Sequence, residues 1–193
     1  KATEGYGATV VFGGPTLDDC LGRAQTFADE QGAVFVPPFN DPMIIAGQGT
    51  VGLELASEYE ESVALNEPHE GPDVPSGVAP VVLIPVGGGG LIGGSAMALR
   101  HVMPGATIIG VEAAGAASMR RSLDDGHVST LPGVSTMADG IALKAPGPLT
   151  FELTKELVDD VVTVTDDEIA QAVLLLMERA KAVVEPSGAV GLA

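Results

Sequence analysis

Gly87, Gly88, Gly89 and Gly90 follow one another between an apolar run at 81–86 and the stretch LIGGSAMALRHV at 91–102. A glycine turn that opens a helix leaves the first backbone N–H groups without intrahelical partners, at the positive end of the helix dipole. With no Cβ in the way, an anion can come close to those amides. The chemistry this implies is the binding of a phosphate by main chain, with no basic side chain required. One glycine would suffice for a tight turn, so four in a row favour the anion.

The same letters fit a second pattern. Gly88, Gly90 and Gly93 satisfy G-x-G-x-x-G after a strand, and Glu112 closes the next strand, ATIIGVE, about twenty residues on. Spacing alone leaves two ligands open, a nicotinamide or flavin dinucleotide and a smaller phosphorylated cofactor. Other chemistry is sparse. His69, His101 and His127 are far apart and lack metal-ligand spacing. Of Lys1, Lys144, Lys155 and Lys181, only Lys144 falls in an internal loop, and it reads as a solvated charge. No Gly-x-Ser-x-Gly elbow and no Walker lysine is present.

The elements that must position the glycines alternate strand and helix. The run at 81–86 is apolar throughout, as suits a parallel sheet covered on both faces. The helix after it turns Leu91, Ala98 and Val102 inward. Upstream, 8–12 and 33–36 read as strands around a helix carrying Leu17, Cys20, Leu21, Ala24, Phe27 and Ala28 on one face. Thr16 is its expected N-cap. PPFNDP at 37–42 is a turn and a candidate boundary, followed by a helix with Val51, Leu55 and Tyr59 at helical spacing. Residues 66–79 have turn composition. Beyond Glu112 come a short helix at 118–123 and an irregular small-residue loop at 131–148. A helix with Leu149, Leu153 and Leu157 follows, then a strand at 161–165. A Thr165/Glu168 capping box opens a last long helix whose inward residues are Ile169, Val173, Leu176 and Met177.

Composition narrows the function. The chain has 193 residues, 46% hydrophobic and 18% charged, and its net charge of −17 would repel nucleic acid and anionic membrane alike. No apolar run approaches a membrane span. Cys20 is the only cysteine, so no internal disulfide forms and a reducing cytoplasm is expected, with Cys20 in the core. The opening KATEGYGATVV reads as the end of a helix running into a strand, and the last stretch breaks off as a Pro-Ser-Gly turn opens another. Chain is therefore expected beyond both ends.

Six collinear motifs carry a resemblance: VVLIPVGGGGLIGG (81–94), GQGT (47–50), GVE (110–112), STMADGIA (135–142), ELVDDVV (156–162) and VEPSGA (184–189). Together the chain resembles the threonine dehydratase and serine racemase family of fold-type II pyridoxal-phosphate enzymes. The resemblance implies an α/β fold of open, mostly parallel twisted sheets flanked by helices, tryptophan-synthase-β-like and here incomplete. The trailing part of a small domain would occupy 1–43 and a truncated large domain 44–193. It implies that Gly87, Gly88, Gly89, Gly90 and Leu91 hold the phosphate of pyridoxal 5'-phosphate. Gly140 would lie close to the cofactor ring and Glu185 near its polar edge. Glu112, with the Ala116 carbonyl, would match the family's cation-binding pair. Ser118 stands where the racemase pattern has a further acid, so a divalent site, a weaker monovalent site and no site at all stay open.

The implied reaction is loss of water and ammonia from threonine or serine, in amino-acid metabolism, isoleucine biosynthesis included. The implied substrate is a small amino acid, and the implied assembly a homo-oligomer. The family's Schiff-base lysine and its Ser-Gly-Asn-His loop do not occur here, so no catalytic residue is assigned in this chain. A dinucleotide-binding oxidoreductase using Gly88, Gly90, Gly93 and Glu112 is the alternative, with a non-catalytic fragment as the third reading.

Overall fold

A strand that ends on glycine and returns through a helix places its successor parallel to itself, and the second half of the chain repeats that step. The computed structural model describes residues 2–14, 17–64 and 79–193. Contacts divide it into two units, Lys1–Pro37 and Pro38–Ala193.

The first unit contains helix α1 (Ala2–Gly5) and helix α2 (Leu17–Gln31). Gly32, at φ +62°, ends α2 in the left-handed conformation that glycine adopts without strain. Two expectations fail here. The segments 8–12 and 33–36 form no ladder among the described residues, and Phe12 and Val34 are about nine-tenths exposed. Apolar and β-branched composition suits a strand, but a strand exists only where a neighbouring backbone pairs with it. The apolar face of α2 is likewise shallow. Ala28 is buried, Cys20 and Leu21 are half-buried, and Ala24 and Phe27 are exposed, so Cys20 is not a core residue. Thr16 and residues 66–78 of the turn-rich stretch lie outside the described residues.

The second unit begins with helix α3 (Pro42–Ala64). Asp41 starts it as an N-cap, its carboxylate accepting from the N–H groups of Met43 (2.8 Å) and Ile44 (3.2 Å), with Pro42 at the first helical position. Then come β1 (Val81–Pro85), α4 (Gly90–Val102), β2 (Thr107–Ala113) and α5 (Ser118–Asp125). They are followed by α6 (Pro148–Leu157), β3 (Asp160–Val164), α7 (Asp166–Leu175) and α8 (Pro186–Ala189). The sheet has the order β1-β2-β3, parallel throughout, with Val81 opposite Thr107 and Ile109 opposite Asp160. Its core gathers Ile84, Val86, Ile92, Leu99, Ile108, Phe151 and Val161. The Thr165/Glu168 capping box opens α7 as expected.

Which face of each helix is inward differs from the sequence expectation. In α4 the buried side chains are those of Ile92, Ser95, Ala96 and Leu99, beside Gly90, Gly93 and Gly94, whereas Leu91 and Ala98 are half-buried and Val102 is exposed. Ala98 belongs instead to the seam with α3, where Gly49 and Gly52 face Gly94, Ser95 and Ala98 at backbone contact distance. The inward line of α3 is accordingly Ile45, Gly52 and Ala56, with Val51 and Leu55 left about 40% exposed. α6 buries Thr150, Phe151 and Thr154, while Leu153 and Leu157 are half-buried and Leu149 is exposed. α7 buries Ile169 and Ala172. It then widens into a π-helical turn, Leu176–Ala180, which leaves Met177 exposed and ends on Lys181 at φ +58°. β1 is an edge strand covered on one face only: Val82 and Ile84 join the core, and Val81 and Leu83 are about half exposed.

One polar clamp ties the far end of α4 to the sheet. Arg100 donates to the carbonyls of Leu157 (2.9 Å) and Ala106 (2.7 Å) and to the Asp159 carboxylate (2.7 Å), which also accepts from Ile108 N–H (2.7 Å). Among the described residues no helix is long and apolar enough to cross a membrane.

Candidate functional site

The ladder of β1 ends when Val86 N–H reaches the Val111 carbonyl at 2.9 Å, and the chain then turns through four buried glycines into α4. Gly89 holds the N-cap position at φ +88°, which disfavours any residue with a Cβ. The first helical bond runs from Gly93 N–H to the Gly89 carbonyl at 3.0 Å. Among the described residues, nothing accepts a hydrogen bond from the N–H groups of Gly87, Gly88, Gly89, Gly90 or Leu91. Buried backbone donors are nearly always paired, so these call for an acceptor from outside the chain. A doubly charged phosphate ester, with three acceptor oxygens, matches that demand and the helix dipole.

The walls of the loop explain why it contains no larger residue. A Cβ on Gly88 would lie 2.5 Å from the Phe39 ring, and one on Gly87 would lie 2.9 Å from the Cα of Ile141. One on Gly89 would meet Met119 and Thr150 at 2.8 Å. The Ile141 contact brings the irregular loop over the glycines, and with it Gly140. Gly140 N–H donates to Ser187 Oγ at 3.0 Å, and a Cβ there would lie 3.4 Å from Glu185 Oε1. Gly87, Gly140 and Glu185 thus share one neighbourhood, linked through Ile141 and Ser187. Glu185 is exposed and is the N-cap of α8, its carbonyl accepting from Gly188 and Ala189.

Glu112 is fully buried at the end of β2. Its two carboxylate oxygens accept from the N–H groups of Met119 and Arg120 at the start of α5, each at 2.8 Å. Burial pushes its carboxyl up to about 7, and those amides and the Arg120 guanidinium pull only part of the way back. Nearby, among the described residues, Ser118 Oγ is buried with no partner and none donates to the Ala116 carbonyl. No cluster of three or more His, Cys, Asp or Glu suited to a metal occurs among the described residues.

The dinucleotide pattern loses its physical basis here. A Cβ on Gly93 would have room, 3.4 Å from Leu153, while the close helix approach falls on Gly94. Glu112 is turned onto the α5 amides rather than toward a ribose. Lys155 lies 5.7 Å from the centre of the Phe151 ring, and Lys181 Nζ donates to the Glu178 carbonyl at 2.7 Å.

Three residues around the loop were not foreseen. Phe39 packs on Gly88 and Gly90, and Asn40 Oδ1 accepts from Leu149 N–H at 3.0 Å. Thr150 Oγ1 approaches the Gly88 carbonyl at 2.5 Å. Phe39 and Asn40 stand inside the PPFNDP turn, where composition announces a turn but not what it covers.

A parallel sheet whose first strand delivers buried, unpaired amides at a helix start defines the class of α/β proteins that hold an anion at the carboxyl edge of their strands. The chain belongs to the pyridoxal-phosphate dependent enzymes, whose family model matches residues 1–193. It is 46% identical over 192 residues to an L-threonine ammonia-lyase of Geobacter sulfurreducens, covering all of this chain and 44% of that protein. Processed threonine deaminase isoform 2 from Solanum lycopersicum superposes with a TM-score of 0.85 at 37% identity, over 99% of this chain and 48% of that one. Maize serine racemase follows at 0.82 and 34%, over 98% and 52%. The chain spans about half the length of these relatives.

Proposed function

We propose that the protein carrying this chain dehydrates L-threonine and L-serine, and that hydrolysis of the resulting imine takes the water back and releases ammonia, giving 2-oxobutanoate and pyruvate respectively. The observation that carries the proposal is the buried glycine loop with no acceptor for its amides among the described residues, in a chain of this family. When bound, pyridoxal phosphate supplies an electron sink for the negative charge left at the substrate's Cα. The N–H groups of Gly87 to Leu91 would hold its phosphate. Gly140, kept in place by Ser187 Oγ, would leave room for the ring, and the Glu185 carboxylate would face the ring's polar edge. None of the four lysines is assigned as the Schiff-base nucleophile. Residues 44–193 are assigned to the cofactor-binding domain. A soluble cytoplasmic homo-oligomer, in amino-acid metabolism and isoleucine biosynthesis, completes the proposal.

A cation next to Glu112 is a second element of this reading, supported by the partnerless Ser118 Oγ and the free Ala116 carbonyl. An all-oxygen set with one carboxylate suits a hard monovalent ion rather than zinc. Incubating the purified protein with L-threonine and pyridoxal phosphate tests the main proposal. Equal amounts of ammonia and 2-oxobutanoate are expected. No 2-oxo acid, or a nicotinamide-dependent oxidation in its place, would refute it.

A further inference from the structure

We propose that Thr150 is a positioning residue for the phosphate cradle, its hydroxyl fixing the Gly88–Gly89 peptide so that Gly89 N–H faces the anion. The inference rests on the cofactor reading above and adds a residue to it.

A peptide between two glycines has no Cβ on either side to hold its orientation, so something external must hold it. Here the Gly88 carbonyl is taken from the other side of the sequence. Thr150 Oγ1 lies 2.5 Å from it and Gly147 N–H 3.3 Å from it. Thr150 is fully buried, and its hydroxyl has one hydrogen. The other carbonyl in reach, that of Gly147, is farther at 3.0 Å, so the Gly88 carbonyl receives the hydrogen. In a trans peptide the C=O and N–H bonds point in opposite directions. Holding Gly88 C=O against α6 therefore turns Gly89 N–H away from α6, to a side where no described residue accepts from it.

The same bond keeps α4 from growing backward. Were the Gly88 carbonyl free, it could accept from Ile92 N–H and wind the loop into another helical turn. With the carbonyl engaged, the first helical bond is Gly93 to Gly89, and the preceding amides stay open. Asn40 holds the element that carries Thr150. α6 opens on Gly147 with no side-chain cap of its own and on Pro148 with no N–H, and Asn40 Oδ1 takes the next donor, Leu149 N–H. The cradle is thus set in advance rather than organised by its ligand.

Binding of pyridoxal 5'-phosphate and of pyridoxal, which lacks the phosphate, separates this role from a merely structural one. In the purified protein the wild type should prefer the phosphorylated form. Thr150→Val should cut that preference about tenfold, the effect of one buried hydrogen bond, and leave pyridoxal binding unchanged. Thr150→Ser, which keeps the hydroxyl, should restore it. An unchanged preference in Thr150→Val, or equal losses for both ligands, would overturn the proposal. A wild type with no preference would instead refute the cradle itself. Should Thr150→Val not fold, hydrogen exchange in wild-type protein labelled with 15N-glycine decides. Gly89 N–H should exchange freely without ligand and become protected by pyridoxal phosphate, and protection already complete without ligand would overturn the proposal.

Discussion

Gly88 shows how tightly single residues are specified at this site. Its missing Cβ is the space occupied by the Phe39 ring. Gly88→Ala should displace Phe39 and weaken retention of pyridoxal phosphate by about tenfold or more, measured by equilibrium dialysis, at the usual overpacking cost of about 1–3 kcal/mol. Glu112 makes a prediction with a sign. Its carboxyl stands near 7 when folded and near its ordinary value of 4.5 when unfolded. Between those values the folded state holds more protons on this group, so its contribution to stability is greatest below about 4.5 and falls as pH rises toward 7. At about 1.4 kcal/mol per pH unit the loss has an upper bound of roughly 3.5 kcal/mol. Melting followed from pH 4.5 to 8, in buffer free of alkali cations, should show this decline in the wild type. In Glu112→Gln, which does not titrate, it should be absent. An equal decline in both proteins would place its origin elsewhere.

At the scale of elements, small residues set the geometry more than large ones do. α3 and α4 meet where Gly94 faces the backbone of Ile45 and Gly49, so Gly94→Ala should destabilise the fold by about 1–3 kcal/mol in urea. Gly47, in the same helix α3 but facing open space, should do the opposite on replacement by alanine, adding about 0.5–1 kcal/mol. Lys181 ends the π turn at φ +58°, and Lys181→Gly should raise stability by about 1 kcal/mol by relieving a left-handed residue that carries a Cβ. These seams also mark the limit of what the sequence discloses. The strand–glycine–helix order, the Thr165/Glu168 box and the strand at Glu112 rest on neighbours in the chain, and periodicity reveals them. The inward face of α3 or α4 depends on which glycines a partner helix meets. Hydrophobicity then points to Val51, Leu55 and Val102, which stand outside.

At the scale of the molecule, a parallel sheet collects loops from distant parts of the chain at one edge. The glycine loop, the Gly140 turn and Glu185 come together through Ile141 and Ser187. The glycine loop could be read before any fold was known, because anion binding at a helix start is a local property. The contact of Thr150 with Gly88 spans 62 residues, and no spacing rule finds it. The segments at 8–12 and 33–36 have strand composition without ladder partners among the described residues, since pairing belongs to the assembled sheet rather than to the segment. The 31P resonance of pyridoxal phosphate added to the protein is the most direct test of the whole account. Held by buried amides, the phosphate should stay doubly charged, and its shift should not change with pH across its second ionisation near ~6. A resonance that titrates like the free ester would show that the glycine loop does not hold it.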